Sequence, residues 1–312
     1  MEEIRPGEYE RTLGGASLQR GATLRALWTT LRPRQWAKNL LVLAPLIFSR
    51  QLFAPEAIAG SLLAFGLFCA VSSAGYLVND IRDLHQDRLH PAKRLRPIAS
   101  GALKVWVATC AAVLLLLAGL ALSFRLGHLF TLALGAYALV SLAYTFILKR
   151  MVIVDVFAIA SGFVLRAVAG AVAVDAELSS WLLICTTLLA LLVGFGKRRY
   201  ELLLLKEGAG GHRRVLEEYS PRFLDMMIGI AAASTVMSYA LYTASVETIE
   251  RFHTRALFLT LPFVLYGVFR YLYLMYQVER GGDPIETAIG DRATVVNLLL
   301  WAATVVAILY WR

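Results

Sequence analysis

The sequence predicts an all-α polytopic membrane protein, a single bundle of about nine transmembrane helices. Three observations predict it. Hydrophobic residues make up 58% of the 312-residue chain, against about 45–50% in soluble domains, and mean hydropathy is +0.63. These residues gather into runs as long as a bilayer crossing requires. The cations fall mainly in alternate connections, the asymmetry that fixes membrane orientation.

Residues 1–22 are polar and lack periodicity, which predicts a flexible cytoplasmic tail ahead of one domain, 23–312. No short apolar run with a small-residue cleavage site precedes Lys38, so no secretory signal is expected. Nine apolar segments follow, at 38–54, 57–79, 104–122, 127–148, 152–174, 179–196, 223–246, 255–276 and 292–311. The first holds Pro45 and Arg50 and is expected to be kinked or tilted. With the N-terminus inside, 24 of the 31 Lys and Arg fall in inside segments and five outside; Arg166 and Arg270 lie within spans. That places the N-terminus and the long connections near 80–103 and 197–222 on the cytoplasmic side of the cell membrane. Long polar connections on one face commonly carry function. No β-alternation supports a membrane barrel.

The formal charge of +9 does not point to nucleic acid, because the cations sit in short connections between apolar runs, where they set topology and meet phosphates. Cys69, Cys110 and Cys185 each lie inside an apolar run without metal-ligand spacing. They read as packing residues, and neither a disulfide framework nor a zinc site is expected.

The end of the second span reads Asn79-Asp80-Ile81-Arg82-Asp83-Leu84-His85-Gln86-Asp87. Asp80, Asp83 and Asp87 are spaced i, i+3, i+7, and Asn79, Asp83 and Asp87 i, i+4, i+8, which on a helix puts both sets on one face. Clustered carboxylates repel one another unless a cation sits among them. Oxygen donors without His or Cys suit Mg²⁺, which keeps open positions for water and phosphate oxygens. Asn79, Asp80, Asp83 and Asp87 are therefore candidate metal ligands, and the three aspartates candidate catalytic residues. Downstream, Lys93, Arg94 and Arg96 could neutralise a phosphate from the side the metal does not reach, or simply be positive-inside charge.

These stretches resemble the UbiA superfamily of intramembrane prenyltransferases, whose NDxxDxxxD motif Asn79–Asp87 fits and whose continuation Arg96-Pro97-Ile98-Ala99-Ser100-Gly101 resembles. The resemblance runs from Arg32 to the C-terminus and implies a nine-helix UbiA-like bundle. Members of the family carry a second Asp-rich motif after the sixth helix. Here that place reads Gly196-Lys197-Arg198-Arg199-Tyr200-Glu201, with Glu201 the only acid. Cations bind phosphate directly, where carboxylates bind it through a metal.

Two further elements bear on substrate. Arg166 lies deep in the fifth span, where an unpaired guanidinium is costly. Asp155, eleven residues earlier, falls on the same face with Gly162 between; the two fit either a ligand site or a structural ion pair. Lys149, with Tyr144 before it, marks the start of that span. Arg32-Pro33-Arg34-Gln35-Trp36-Ala37-Lys38-Asn39 is a third cationic element, an interfacial anchor or a phosphate contact. Its wording, with Lys197-Arg198-Arg199-Tyr200, resembles the polyprenyl-phosphate phosphoribosyltransferase branch of the superfamily.

That resemblance implies Mg²⁺-dependent transfer of 5-phosphoribose from phosphoribosyl diphosphate to a decaprenyl-type polyprenyl phosphate. It also implies that Lys38, Asn39, Lys93, Arg94, Arg96, Tyr144, Lys149, Asp155, Arg166, Lys197, Arg198 and Tyr200 contact substrate. The small residues of Ala158–Gly162 and Gly170-Ala171 suit either a lateral opening for the lipid or close helix packing. An ordinary prenyltransferase acting on an aromatic or other acceptor is the rival on the same fold. A non-enzymatic lipid transporter is a second; repeats with broken helices at the midplane would favour it, and none is evident.

Overall fold

A computed structural model describes residues 21–90, 93–206, 214–277, 287 and 290–311. Of the expected tail, 1–22, residues 1–20 lie outside the described residues, and 21 and 22 open a helix, α1, at 21–31. The remaining described residues are helical or connecting, with no strand among them.

Eight helices are long and apolar enough to cross a membrane. They are α3 (Pro55–Arg82), α5 (Val105–Ser123), α6 (His128–Phe146), α7 (Val154–Ala173), α8 (Ser180–Lys206), α9 (Pro221–Ala244), α11 (Leu261–Tyr276, led in by a 3₁₀ turn at Ala256–Thr260) and α12 (Arg292–Tyr310). Short helices α4 (Leu84–Leu89) and α10 (Val246–Phe252) connect them. Ser220 caps α9 by accepting from the Phe223 N–H, with Pro221 at the first position, and Asp291 caps α12 by accepting from the Thr294 N–H. Both are standard starts, because the first-turn N–H groups need acceptors and proline has none to satisfy.

The first expected span, 38–54, is not one α-helix. It is a 3₁₀ stretch, Pro33–Leu43, followed by the five-residue α2, Ala44–Phe48. A 3₁₀ helix rises about 2.0 Å per residue, so these sixteen residues reach about 30 Å. That is as far as a much longer α-helix. The contacts follow the crossing: Arg32 meets Asp80 at one end of α3, Trp36 meets Ser73, and Asn39 meets Ser72. At the other end the Leu52 N–H donates to Tyr310 Oη. The segment therefore runs antiparallel to α3 and supplies a ninth crossing that helix length alone does not register.

The connection expected at 197–222 also differs. α8 continues through Lys206 and carries Lys197–Tyr200 as helix. Three consecutive cations signal a connection, yet Arg198 is buried against acids and Leu202 against the core, which lets the helix run on.

α7 lies at the centre, against α6, α8 and the first crossing. Its small residues serve close packing: a Cβ on Gly170 would stand 2.2 Å from the Val42 carbonyl oxygen, and one on Gly194 of α8 2.7 Å from a Val156 methyl. α5 and α12 lie outermost and expose Leu114, Leu117, Leu298 and Leu299. Leucine outside and alanine, serine and glycine inside is the pattern a bundle takes when lipid is its solvent.

Candidate active site

The acidic motif forms because α3 ends at Asp83 without losing its axis. Asp83 N–H still donates to the Asn79 carbonyl (2.9 Å) and Asp87 N–H to that of Asp83 (2.8 Å). The expected shared face survives, and each carboxylate on it meets a protein cation. Arg96 Nη1 donates to Asp80 Oδ1 (3.0 Å) and Asp87 Oδ2 (2.7 Å). Arg32 Nη2 donates to the same Asp80 oxygen. Lys149 Nζ donates to both oxygens of Asp83 (2.7 and 2.9 Å) and to Asn79 Oδ1 (3.5 Å). Burial pushes the Asp87 carboxyl above its ordinary value, and the Arg96 guanidinium draws it partly back.

The four motif side chains thus divide into two cation-filled pockets, Asp80 with Asp87 and Asn79 with Asp83. No three His, Cys, Asp or Glu side chains among the described residues form a metal-holding group. The four expected ligands thus stand as two pairs, Asp80 with Asp87 on Arg96 and Asn79 with Asp83 on Lys149. The donor set still fits Mg²⁺. All donors are oxygen, each pocket already binds a cation, and Mg²⁺ is commonly held by one or two carboxylates plus water and substrate phosphates.

A second charged network lies at the same end. Arg198 is 0% exposed. It donates through Nε to Asp155 Oδ2, through Nη1 to Glu201 and through Nη2 to Tyr144 Oη (2.7 Å). Asp155, equally buried, also accepts from Tyr219 Oη (2.8 Å) and the Val156 N–H (2.8 Å). The expected substrate contacts Arg198, Asp155 and Tyr144 thus meet one another here. All three guanidinium nitrogens have protein partners, so the trio ties α6, α7 and α8 together. Ile153, just before Asp155, sits at φ 68°, ψ −47°, and the Val154 N–H donates to the Val152 carbonyl (2.7 Å). This is the strained hand of γ-turn, rare for a β-branched residue. Its N–H donates to Tyr219 Oη (2.6 Å), which fixes the turn.

Arg166 is not paired with Asp155. It is 5% exposed and donates through Nε to Asn39 Oδ1 (2.7 Å), Nη1 to the Gly162 carbonyl (2.8 Å) and Nη2 to Tyr137 Oη (2.8 Å). Its guanidinium lies 4.6 Å from the Tyr137 ring centroid and 5.4 Å from that of Phe163. It makes no ion pair among the described residues. Lys38 and Asn39 lie on the first crossing, half-buried and buried; Lys197 and Tyr200 flank Arg198, half-buried; Lys93 is half-buried and Arg94 exposed beyond α4. Arg32, Tyr137 and Tyr219 join these networks without standing among the expected contacts. Only Arg32 had a signal, its place in a cationic stretch.

The family model for the UbiA prenyltransferase family matches residues 42–198. A Corynebacterium glutamicum protein named decaprenyl-phosphate phosphoribosyltransferase is 38% identical over 288 residues, 90% of this chain and 85% of its own. A Mycolicibacterium smegmatis protein of the same name is 35% identical over 303 residues, covering 90% and 91%. A UbiA homolog from Archaeoglobus fulgidus, solved bound to DMAPP and Mg²⁺, superposes with a TM-score of 0.68 at 19% identity, over 91% of this chain and 98% of that one. Together with the helical bundle and its acidic motif, these likenesses show a membrane-embedded transferase that belongs to the UbiA prenyltransferase family.

Proposed function

We propose that this chain transfers 5-phosphoribose from phosphoribosyl diphosphate to a decaprenyl-type polyprenyl phosphate, releasing diphosphate. The chemistry takes place at the cytoplasmic face of the cell membrane. The observation that carries the proposal is the charge pattern. One acidic motif stands among the cations Arg32, Arg96 and Lys149, and the position of a second acidic motif is cationic instead, with Arg198 and Arg199 taken up by protein acids there and Lys197 beside them. A donor with one metal-chelating diphosphate and one monophosphate, and an acceptor with a monophosphate, needs that proportion. The names carried by relatives at 35–38% identity support it.

Asn79, Asp80, Asp83 and Asp87 would hold Mg²⁺, which neutralises the leaving diphosphate when bound. Arg32, Arg96 and Lys149, the cations now paired with these carboxylates, are placed to turn to phosphate oxygens when a metal takes their place. A phosphate oxygen of the acceptor attacks the anomeric carbon as the bond to diphosphate breaks, and the diphosphate leaves with the bonding pair. The attacking oxygen is already anionic, so no side chain need remove a proton. Positioning and preorganised charge then supply the rate.

The test supplies purified protein with Mg²⁺, labelled phosphoribosyl diphosphate and polyprenyl phosphate, beside an Asp83→Asn reaction. Label entering the lipid phase only with the unmutated protein and Mg²⁺ is the expected result. No transfer at any lipid length, with turnover of a prenyl diphosphate instead, overturns the proposal in favour of an ordinary prenyltransferase.

A further inference from the structure

A polar seam runs between the first crossing and α3. Starting at Asp80, Arg32 reaches its carboxylate and lies over the Tyr76 ring at 5.1 Å. Next inward, Trp36 Nε1 donates to Ser73 Oγ (3.0 Å), then Asn39 Nδ2 to Ser72 Oγ (3.2 Å). The seam ends at Arg166, held by Asn39. Ser73 and Ser72 also donate to the Leu31 and Cys69 carbonyls (3.0 and 3.2 Å), so polar groups line the way from the Asp motif to a buried cation, where interhelical hydrogen bonds alone gain little.

Arg166 is the unusual member. A buried guanidinium ordinarily has a carboxylate partner. Here Asn39, Gly162 and Tyr137 supply neutral acceptors only. Five N–H donors belong to the group, and these three bonds leave two for a ligand.

Two helical rulers give its depth. Ser72, level with Arg166 through Asn39, is eight residues from Asp80 along α3, about 12 Å. Arg166 is eleven residues from Asp155 along α7, about 16 Å. From the outer phosphorus of the diphosphate to the 5-phosphorus of phosphoribosyl diphosphate is about nine bonds. At covalent bond lengths that is about 10 Å. Contact distances of about 3 Å at each end bring the span to about 16 Å, the same order as these two helical lengths. The acceptor phosphate fits less well. It must approach within about 3.5 Å of the anomeric carbon, and its isoprenoid chain must leave the bundle at the same depth. Arg166 is 5% exposed and stands against Asn39, Tyr137 and Phe163, which leaves little room for a lipid chain beside it.

We infer that Arg166, aimed by Asn39 and Tyr137, is the subsite for the 5-phosphate of the donor, reached along the seam. The inference rests on the transfer reaction proposed above. The wall that yields is the start of the 3₁₀ stretch, ahead of Asn39, since 3₁₀ runs this long are uncommon and mark hinges. Arg32, at its start, has φ 55°. The donor then lies with its diphosphate at the Asp motif and its ribose along Tyr76 and Ser73.

The experiment uses the full chain in detergent, with Arg166→Lys and the milder Tyr137→Phe, which keeps the charge but loosens its aim. The probes are ribose 5-phosphate, phosphoribosyl diphosphate and ribose 1-diphosphate, the donor without its 5-phosphate. Ribose 5-phosphate is expected to raise the unfolding temperature of the unmutated protein and to compete with the donor but not the lipid. Arg166→Lys should raise KM for phosphoribosyl diphosphate about 10- to 100-fold, the worth of a charge-assisted hydrogen bond. KM for polyprenyl phosphate should stay unchanged, and preference over ribose 1-diphosphate should fall by the same factor. Tyr137→Phe should do the same more weakly. Absence of stabilisation by ribose 5-phosphate overturns the subsite. So does a variant that raises the lipid KM or keeps the donor preference. If the unmutated protein transfers nothing, the transfer reaction fails, while the ribose 5-phosphate shift still decides the subsite.

Discussion

Asp155→Ala removes the acceptor of three hydrogen bonds, from Arg198, Tyr219 and the Val156 N–H. Arg198 stays in place with 0% exposure and retains Glu201, whose side chain is 22% exposed. Removing one partner of a buried ion pair costs about 3–5 kcal/mol. Glu201 keeps part of the compensation, so the lower end, about 3 kcal/mol, is expected here. That is a large share of the roughly 5–15 kcal/mol that holds a typical domain together. Denaturant titration in detergent, followed by far-UV circular dichroism, reads the change. Adding Arg198→Met to Asp155→Ala removes the stranded charge, so the double variant should be less destabilised than the two single losses summed, by about 0.5–3 kcal/mol. A loss below about 1 kcal/mol in Asp155→Ala, with a large rise in substrate KM, would refute this reasoning and favour Asp155 and Arg198 as substrate contacts.

Chelation of divalent metal should abolish transfer and leave the circular dichroism spectrum unchanged, with Mg²⁺ restoring activity, because Arg32, Arg96 and Lys149 neutralise the aspartates when the metal is gone. Ile153→Gly should raise the unfolding midpoint, since relief of about 1–3 kcal/mol of backbone strain outweighs the added chain entropy of glycine of about 0.5–1 kcal/mol. Gly170→Ala should destabilise by about 1–3 kcal/mol, measured by the same titration, because the new methyl meets the Val42 backbone and no side chain can move aside.

The acidic motif was legible because charge at the end of a long apolar run is conspicuous, and eight crossings were legible from length alone. The first crossing was harder to read because it gains its reach from 3₁₀ rise, which hydropathy does not encode. The end of α8 was misjudged at Lys197–Arg199, where three adjacent cations resemble a connection. The residue that buries Arg198 lies 43 positions away at Asp155, beyond any local pattern. Tyr137 and Tyr219 gave no signal, being aromatic residues in or beside apolar runs whose hydroxyls acquire meaning only through Arg166 and Asp155. Arg166 was conspicuous as a lone charge, but its lack of a carboxylate partner could emerge only from packing.

The fate of each phosphorus tests the central claim most directly. Phosphoribosyl diphosphate is prepared with one label in the 5-phosphate and another in the diphosphate, then incubated with the protein, Mg²⁺ and polyprenyl phosphate. Phosphoribosyl transfer sends the first label into the lipid and the second into water as diphosphate, in equal amounts. Both labels remaining in water, or both entering the lipid, would contradict it.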